Sequence, residues 1–328
     1  MQNNQQEKKV LLRISHLKQW FPLKKTGFRS EQLYVKANDD ISLDIYEGET
    51  LGLVGESGCG KSTLGRVLLQ LYHQTEGKTM YYGRSVESLA PNYVAKALKN
   101  LESGRAKLRE LEAKRDRITK EYESLDEKGR RAKHHEKKQA EKEAYHQMLD
   151  LAQLIGGLLA APDLKPVSEA YQLQYQSAID LHKLNEACQQ LQIQQNALMT
   201  KAKEKKEAGK SDSAEQAKAL KMDAQIQKYQ KDILAKEKEL AERHAKVDAL
   251  REQHKNDPGF DEYEQYRDNG IDLAKLEYKE MRQLRKDLQL IFQDPYSSLN
   301  PRMTVGQIIG EGLLAHNFFA KNDDGMMD

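Results

Sequence analysis

Residues 50–71 read TLGLVGESGCGKSTLGRVLLQL. Within them Gly55-Glu56-Ser57-Gly58-Cys59-Gly60-Lys61-Ser62 fits the pattern G-x-x-x-x-G-K-[ST]. Thr50 to Val54, ahead of it, is a short apolar run suited to a buried strand. Leu64, Val67, Leu68 and Leu71, behind it, fall at i, i+3, i+4 and i+7 on one face of a helix. Strand, glycine loop and helix in that order form a phosphate cradle. Glycines let successive N–H groups face one anion, and the helix N-terminus adds partial positive charge. Lys61 supplies a mobile ammonium for the β- and γ-phosphates, and the Ser62 hydroxyl suits Mg²⁺. Thr63 adds an α-phosphate contact, while Cys59 fills space inside the loop.

Outward from the loop the chain alternates strand and turn signals. Val10 to Leu17, with Leu12 and Ile14 separated by Arg13, reads as a half-buried strand. Ile41, Leu43 and Ile45 alternate with Ser42, Asp44 and Tyr46 as a second, and Glu47-Gly48-Glu49 turns after it. Thr79 to Tyr82 reads as another strand, closed by Gly83.

The 328 residues carry 53 Lys+Arg and 51 Asp+Glu, and 32% of them are charged, against about 25% in ordinary globular domains. The excess is local. Residues 91–280 hold 71 charged residues in 190, whereas 13 of the 20 glycines lie outside that stretch. The chain therefore divides into a globular part at 1–90, a charged insertion at 91–280 and a continuation of the globular part at 281–328. Near-zero net charge argues against a general nucleic-acid binder. The longest apolar run, Leu154 to Ala161, is far short of the ~18 residues of a membrane span. The opening MQNNQQEKK has no secretory apolar segment. Cys59 and Cys188 make no disulfide framework.

The insertion is rich in Ala, Glu, Lys, Gln and Leu, all helix formers. Ile226, Ile233, Leu240 and Val247 recur every seven residues, as do Leu184, Leu191 and Leu198. Leu101, Leu108, Leu111, Ile118, Tyr122 and Leu125 approximate a further seam, so the pattern is that of a coiled coil. The chain must leave and return to neighbouring points, which predicts antiparallel helices, in a number left open. The breakers at 156–167 predict a hairpin tip after a helix running from about 94 to 154. Lys201 to Ser213 is polar enough to stay disordered.

Asp287 to Phe292 (DLQLIF) reads as a strand that ends in Gln293-Asp294-Pro295. An amide there both donates and accepts, so Gln293 can contact Mg²⁺ and orient water; a plain strand-to-loop exit is the alternative reading. VGESGCGKSTLGRVLLQL together with LQLIFQDPYSSLNPRMTVGQII resembles the ATP-binding subunits of oligopeptide/dipeptide ABC importers, as do HLKQWFPLKK and DISLDIYEGETLGLVGES. The resemblance covers residues 1–90 and 281–328. It implies an α/β P-loop NTPase of ABC type, incomplete here and interrupted by an α-helical coiled-coil insertion.

The same resemblance implies ATP and Mg²⁺ as cofactors, with Gly55, Glu56, Ser57, Gly58, Cys59, Gly60, Lys61, Ser62 and Thr63 as Walker A. It makes Gln293 the Q-loop glutamine, positioning water and, with Ser62, the metal. Phe21 matches the aromatic that stacks on adenine, with simple core packing as the alternative and Trp20, Phe28 and Tyr34 as nearby aromatics. Implied partners are transmembrane permease subunits, a second ABC ATPase subunit and, indirectly, a peptide-binding protein, with no nucleic acid. The implied location is peripheral, on the cytoplasmic face of the membrane. No LSGGQ-like signature, no apolar strand ending in Asp-Glu and no switch His follow, and Asp323-Asp324 do not form such a strand. The expectation is a C-terminally truncated piece of a transport ATPase that binds nucleotide weakly without useful hydrolysis, with a natural short protein or a disrupted gene as the alternatives. The competing readings are a coiled-coil ABC-type ATPase of DNA maintenance and a non-enzymatic nucleotide-binding adaptor.

Overall fold

Leu12, Ile14 and Leu17 are all buried, yet strict alternation would send Leu17 to the opposite face from Ile14. A bulge resolves this. In the computed structural model, which describes residues 8–25, 32–209, 211, 213–294 and 299–315, His16 takes φ 51° and the register shifts there against both neighbouring strands. Gly77 lies close beneath the bulge: a Cβ on it would come within 2.4 Å of the His16 carbonyl oxygen. The strand carrying the bulge, β1 (Val10–Pro22), pairs antiparallel with β2 (Tyr34–Tyr46) on one side and β3 (Glu76–Tyr81) on the other. A two-residue strand, β4 (Ile271–Asp272), extends the sheet beyond β3, giving the order β2-β1-β3-β4.

Helix α1 (Lys61–Leu68) covers the sheet with Leu64 and Val67, as its apolar face predicts. Leu273, Leu276, and Met281 and Leu284 of α9 (Tyr278–Leu284) complete that core. Residues from 271 onward thus pack with a sheet whose other strands end 190 residues earlier.

Between them the chain is helical: α2 (Val86–Leu89), α3 (Asn92–Lys99), α4 (Leu101–Ser124), α5 (Glu127–Ile155), α6 (Lys165–Glu207), α7 (Ser213–His254) and α8 (Phe260–Glu264). A final helix, α10 (Val305–Ala315), follows the second apolar segment. Cross-links give the pairing. Lys114 meets Glu143 and Gln147 meets the Gly104 carbonyl, so α4 and α5 run antiparallel. Ser177 meets Glu239, Asp180 meets Lys236 and Lys205 meets Glu215, so α6 and α7 do too. Of the seven-residue seams, Leu108 and Ile118 are buried in the first hairpin and Ile226 and Val247 in the second, while Leu184, Leu191, Leu198, Ile233 and Leu240 are half-buried.

The second hairpin reverses at the breaker Gly209, at φ 67°, but the first does not turn at 156–167. The first hairpin reverses at Leu125-Asp126, where the Asp126 carboxylate accepts from the Gly129 N–H and caps α5. The glycines at 156 and 157 instead lie buried at the foot of the helices. There Gly157 faces the Phe260 ring, and Leu158, Leu159, Ala161 and Leu164 fill a second core. The polar stretch from Lys201 is helical through Glu207.

Two expected strands do not form. Leu51, Leu53 and Val54 are exposed, as are Ile291 and Phe292, and neither stretch is strand. An apolar strand is held by neighbours at its edges and layers on both faces. Among the described residues neither segment joins an edge of the sheet.

The two cores meet at Val86 and Tyr93, which pack against both. Beside them Lys78 of β3 reaches Asp150 and Gln153 of α5, and Lys275 reaches the same Asp150. Burial pushes the Lys78 ammonium below its ordinary pKa, against the pull of Asp150, and pushes the Asp272 carboxyl up.

Candidate phosphate-binding site

The glycine loop closes as a turn, with the Cys59 N–H donating to the Glu56 carbonyl at 3.3 Å. Gly60 then enters α1 in the left-handed region at φ 94°. Only glycine fits there: a Cβ would stand 2.2 Å from the Ala37 carbonyl oxygen. The Asn38 side chain donates to the Gly60 carbonyl at 3.3 Å, so the end of the loop rests on β2. Asn38 was not a candidate from sequence, where nothing in NDD marks a loop contact across 22 residues.

The N-terminus of α1 has no side-chain cap and no acidic residue in its first turn. Its leading N–H groups and the positive end of its dipole therefore have no counter-charge of their own. Lys61, at the first helical position, folds its ammonium back onto the carbonyls of Gly55 at 2.7 Å and Glu56 at 2.6 Å, with the Cys59 sulfur at 3.3 Å. Among the described residues no carboxylate pairs with it. Glu56, Ser57, Gly58 and Cys59 are exposed, as is Ser62, and Thr63 is half-buried. An uncapped helix start and a cation satisfied only by neutral acceptors fit a multiply charged anion.

Gln293 lies in an exposed bend after α9. Among the described residues no hydrogen bond or ion pair links it to residues 55–63. Phe21 is half-buried in β1, opposite Val35, and its ring stands edge-on to Tyr72 with centroids 5.5 Å apart. The Tyr72 backbone folds onto the Arg66 carbonyl, which sets that aromatic pair toward the C-terminal end of α1, the end away from Lys61. Trp20 is engaged separately, with the Lys36 ammonium 4.4 Å from its ring centroid and its indole N–H on Asp39. Tyr34 lies 6.2 Å from Trp20, while Phe28 and Pro295 to Ser298 lie outside the described residues. Among the described residues no group of three or more His, Cys, Asp or Glu gathers as a metal site.

A family model described as ABC transporter matches residues 38–258, about two thirds of the chain and inclusive of the loop. The oligopeptide transport ATP-binding protein OppF of Bacillus subtilis is 54% identical over 76 residues, covering 23% of each chain. OppF of Escherichia coli is 44% identical over 87 residues, and the dipeptide transport ATP-binding protein DppF of Haemophilus influenzae 45% over 85 residues, each match covering 26% of both chains. The chain thus spans about a quarter of the length of the curated relatives it matches. No solved structure matches it.

Proposed function

The chain belongs to the ABC transporter family, and we propose that it is the nucleotide-holding part of an ATP-binding subunit serving an oligopeptide or dipeptide importer. The observation that carries this reading is the uncapped start of α1 with Lys61 lacking an acidic partner, set in the Walker A sequence. The peptide-transport names of the relatives support the choice of cargo.

The ligand is magnesium-ATP, whose anhydride supplies the free energy of transport. Backbone N–H groups from Gly58 to Thr63 take the phosphate oxygens. The Lys61 ammonium would exchange two carbonyls for the β- and γ-phosphates, and the Ser62 hydroxyl would supply an oxygen to Mg²⁺. Gln293 comes to the γ-phosphate side as the Q-loop glutamine, and Phe21 offers its ring to adenine. Residues 1–90 and 281–328 are the two parts of the ABC domain, and 91–280 is a coiled-coil insertion whose last ten residues rejoin the sheet. The working partners are permease subunits, a second ATPase subunit and, indirectly, a peptide-binding protein. The location is the cytoplasmic face of the membrane, held by those partners; no helix among the described residues is long and apolar enough to cross a membrane.

The test is equilibrium binding of a fluorescent ATP analogue with Mg²⁺ to the full chain. Saturable binding that Lys61→Ala weakens at least about tenfold, the scale of one charge-assisted contact, is expected. Equal affinity in the variant overturns the reading.

A further inference from the structure

A cleft of about 580 Å³ opens where the sheet meets the feet of the helices, within the size range of small-ligand sites. Its walls include Tyr82 at the end of β3, Glu87 of α2, Tyr171, Gln174 and Tyr175 of α6, and Asp248 of α7. None of its lining residues belongs to the 55–63 loop.

The charges in the cleft are of two kinds. Its arginines are already matched: Arg13 lies 3.1 Å from Asp44, and Arg267 lies 3.2 Å from Glu264. Glu87 and Asp248 make no ion pair or side-chain hydrogen bond among the described residues. Two buried acceptors nearby, Gln174 Oε1 and the Tyr175 hydroxyl oxygen, have no hydrogen-bond partner either. A buried polar atom left so costs about 1–3 kcal/mol. Burial, and after it the charge of Glu87, holds the Tyr175 phenol protonated beyond its ordinary range. What these four acceptors lack is therefore a positively charged N–H donor; the remaining basic residue of the lining, His244, is exposed and pairs with none of them among the described residues. The aromatic walls of the cleft add ring faces of the kind that attract cations.

We infer that this cleft binds an organic cation, a protonated amine or guanidinium on a short apolar stem. The charged head donates to Glu87, Asp248 and the orphaned Gln174 amide oxygen, with the Tyr171 and Tyr82 rings beside it. The stem lies against the apolar side chains between α3 and α7. The chain's net charge is only +2, so diffuse attraction of cations is not the cause.

Titration calorimetry of the full chain with 1,5-diaminopentane, at about 150 mM salt to screen surface charge, tests this. One-to-one saturable binding is expected, with none for 1,5-pentanediol or glutarate, which keep the stem and change the heads. Glu87→Gln and Asp248→Asn should each weaken it about tenfold, the worth of one charged hydrogen bond. Lys61→Ala should leave it unchanged, which separates this site from the nucleotide site. Asp248 is exposed on α7, so its variant carries the test even where Glu87→Gln lowers the melting temperature. No saturation by about 10 mM, equal binding of diamine and diol, or wild-type affinity in Asp248→Asn overturns the inference.

Discussion

The Tyr82 hydroxyl donates to an Asp268 carboxylate oxygen at 2.7 Å, although 186 residues separate the two. The other Asp268 oxygen accepts from the Gly270 N–H, just before β4. One carboxylate thus ties the exit of β3 to the return of the chain into the sheet. Tyr82→Phe should lower stability by about 1–2 kcal/mol, the net worth of a partly buried hydrogen bond to a charged group. Chemical denaturation with an unchanged slope and a lower midpoint is the expected record; an unshifted midpoint would mean that backbone packing alone closes the excursion.

The outer part of the second hairpin should be dispensable. Of α6 and α7, the core at the helix feet takes Val167, Tyr171, Tyr175 and Leu250, all near the base. Joining Asp180 to Lys236, whose side chains form an ion pair across the hairpin, through a short Gly-rich turn should leave nucleotide binding and the melting midpoint of the remainder intact. Excising 95–278 is a different operation. It removes β4 and buried Leu273 and Leu276, so it should yield a chain without cooperative unfolding in calorimetry.

Gly60→Val should cost more than about 2 kcal/mol, since a β-branched residue is strained at φ 94° and its Cβ runs into the Ala37 carbonyl. Gly58→Ala is the control. Its φ is 80°, but a Cβ there meets nothing within 4 Å, so only the left-handed penalty of about 1 kcal/mol remains. Thermal melts of the pair, with nucleotide affinity alongside, should separate a steric anchor from a merely flexible loop.

His146 on α5 should make the insertion acid-sensitive. Burial first, then the charges of Lys142 and Lys78, hold its imidazole below the ordinary 6.5. The unfolded ring takes up a proton that the folded ring resists. Stability is therefore complete above about pH 6.5 and falls as pH drops toward the folded value. The ring is part-exposed, so screening limits the effect to about 0.5 kcal/mol. Between pH 7 and 5, His146→Gln should show a flatter stability profile than the parent; parallel profiles would show that the field at the ring is negligible.

Much of this was legible from local pattern. Leu64 and Val67 mark the buried face of α1, and Leu108, Ile118, Ile226 and Val247 of the seven-residue repeats fall on buried faces of the helices. Other features depend on distant partners. The bulge at His16 is hidden in an otherwise regular alternation, and the two-residue β4 gives no periodic signal at all. Gly156-Gly157 looked like a tip because glycines favour turns; here they admit the Phe260 ring and the Arg267 stem at a buried corner. Thr50 to Val54 and Asp287 to Phe292 have strand composition, but composition cannot supply the edge on which a strand is laid. For the site, the motif marks the glycine turn and the lysine that follows it. That Asn38 braces Gly60 was not legible, because amides that steady a loop from a neighbouring strand follow no spacing rule.

The ammonium of Lys61 sits on two carbonyls of its own loop, so any incoming anion enters as a competitor. It must outbid those oxygens for the same protons and let the turn at Gly55-Glu56 hydrate as it arrives. On the reading proposed above, a ligand with one weakly charged phosphate would gain little from that exchange, whereas a chain of phosphates would engage the amine and the helix start together. Selection by charge number is thereby written into the resting posture of a single side chain.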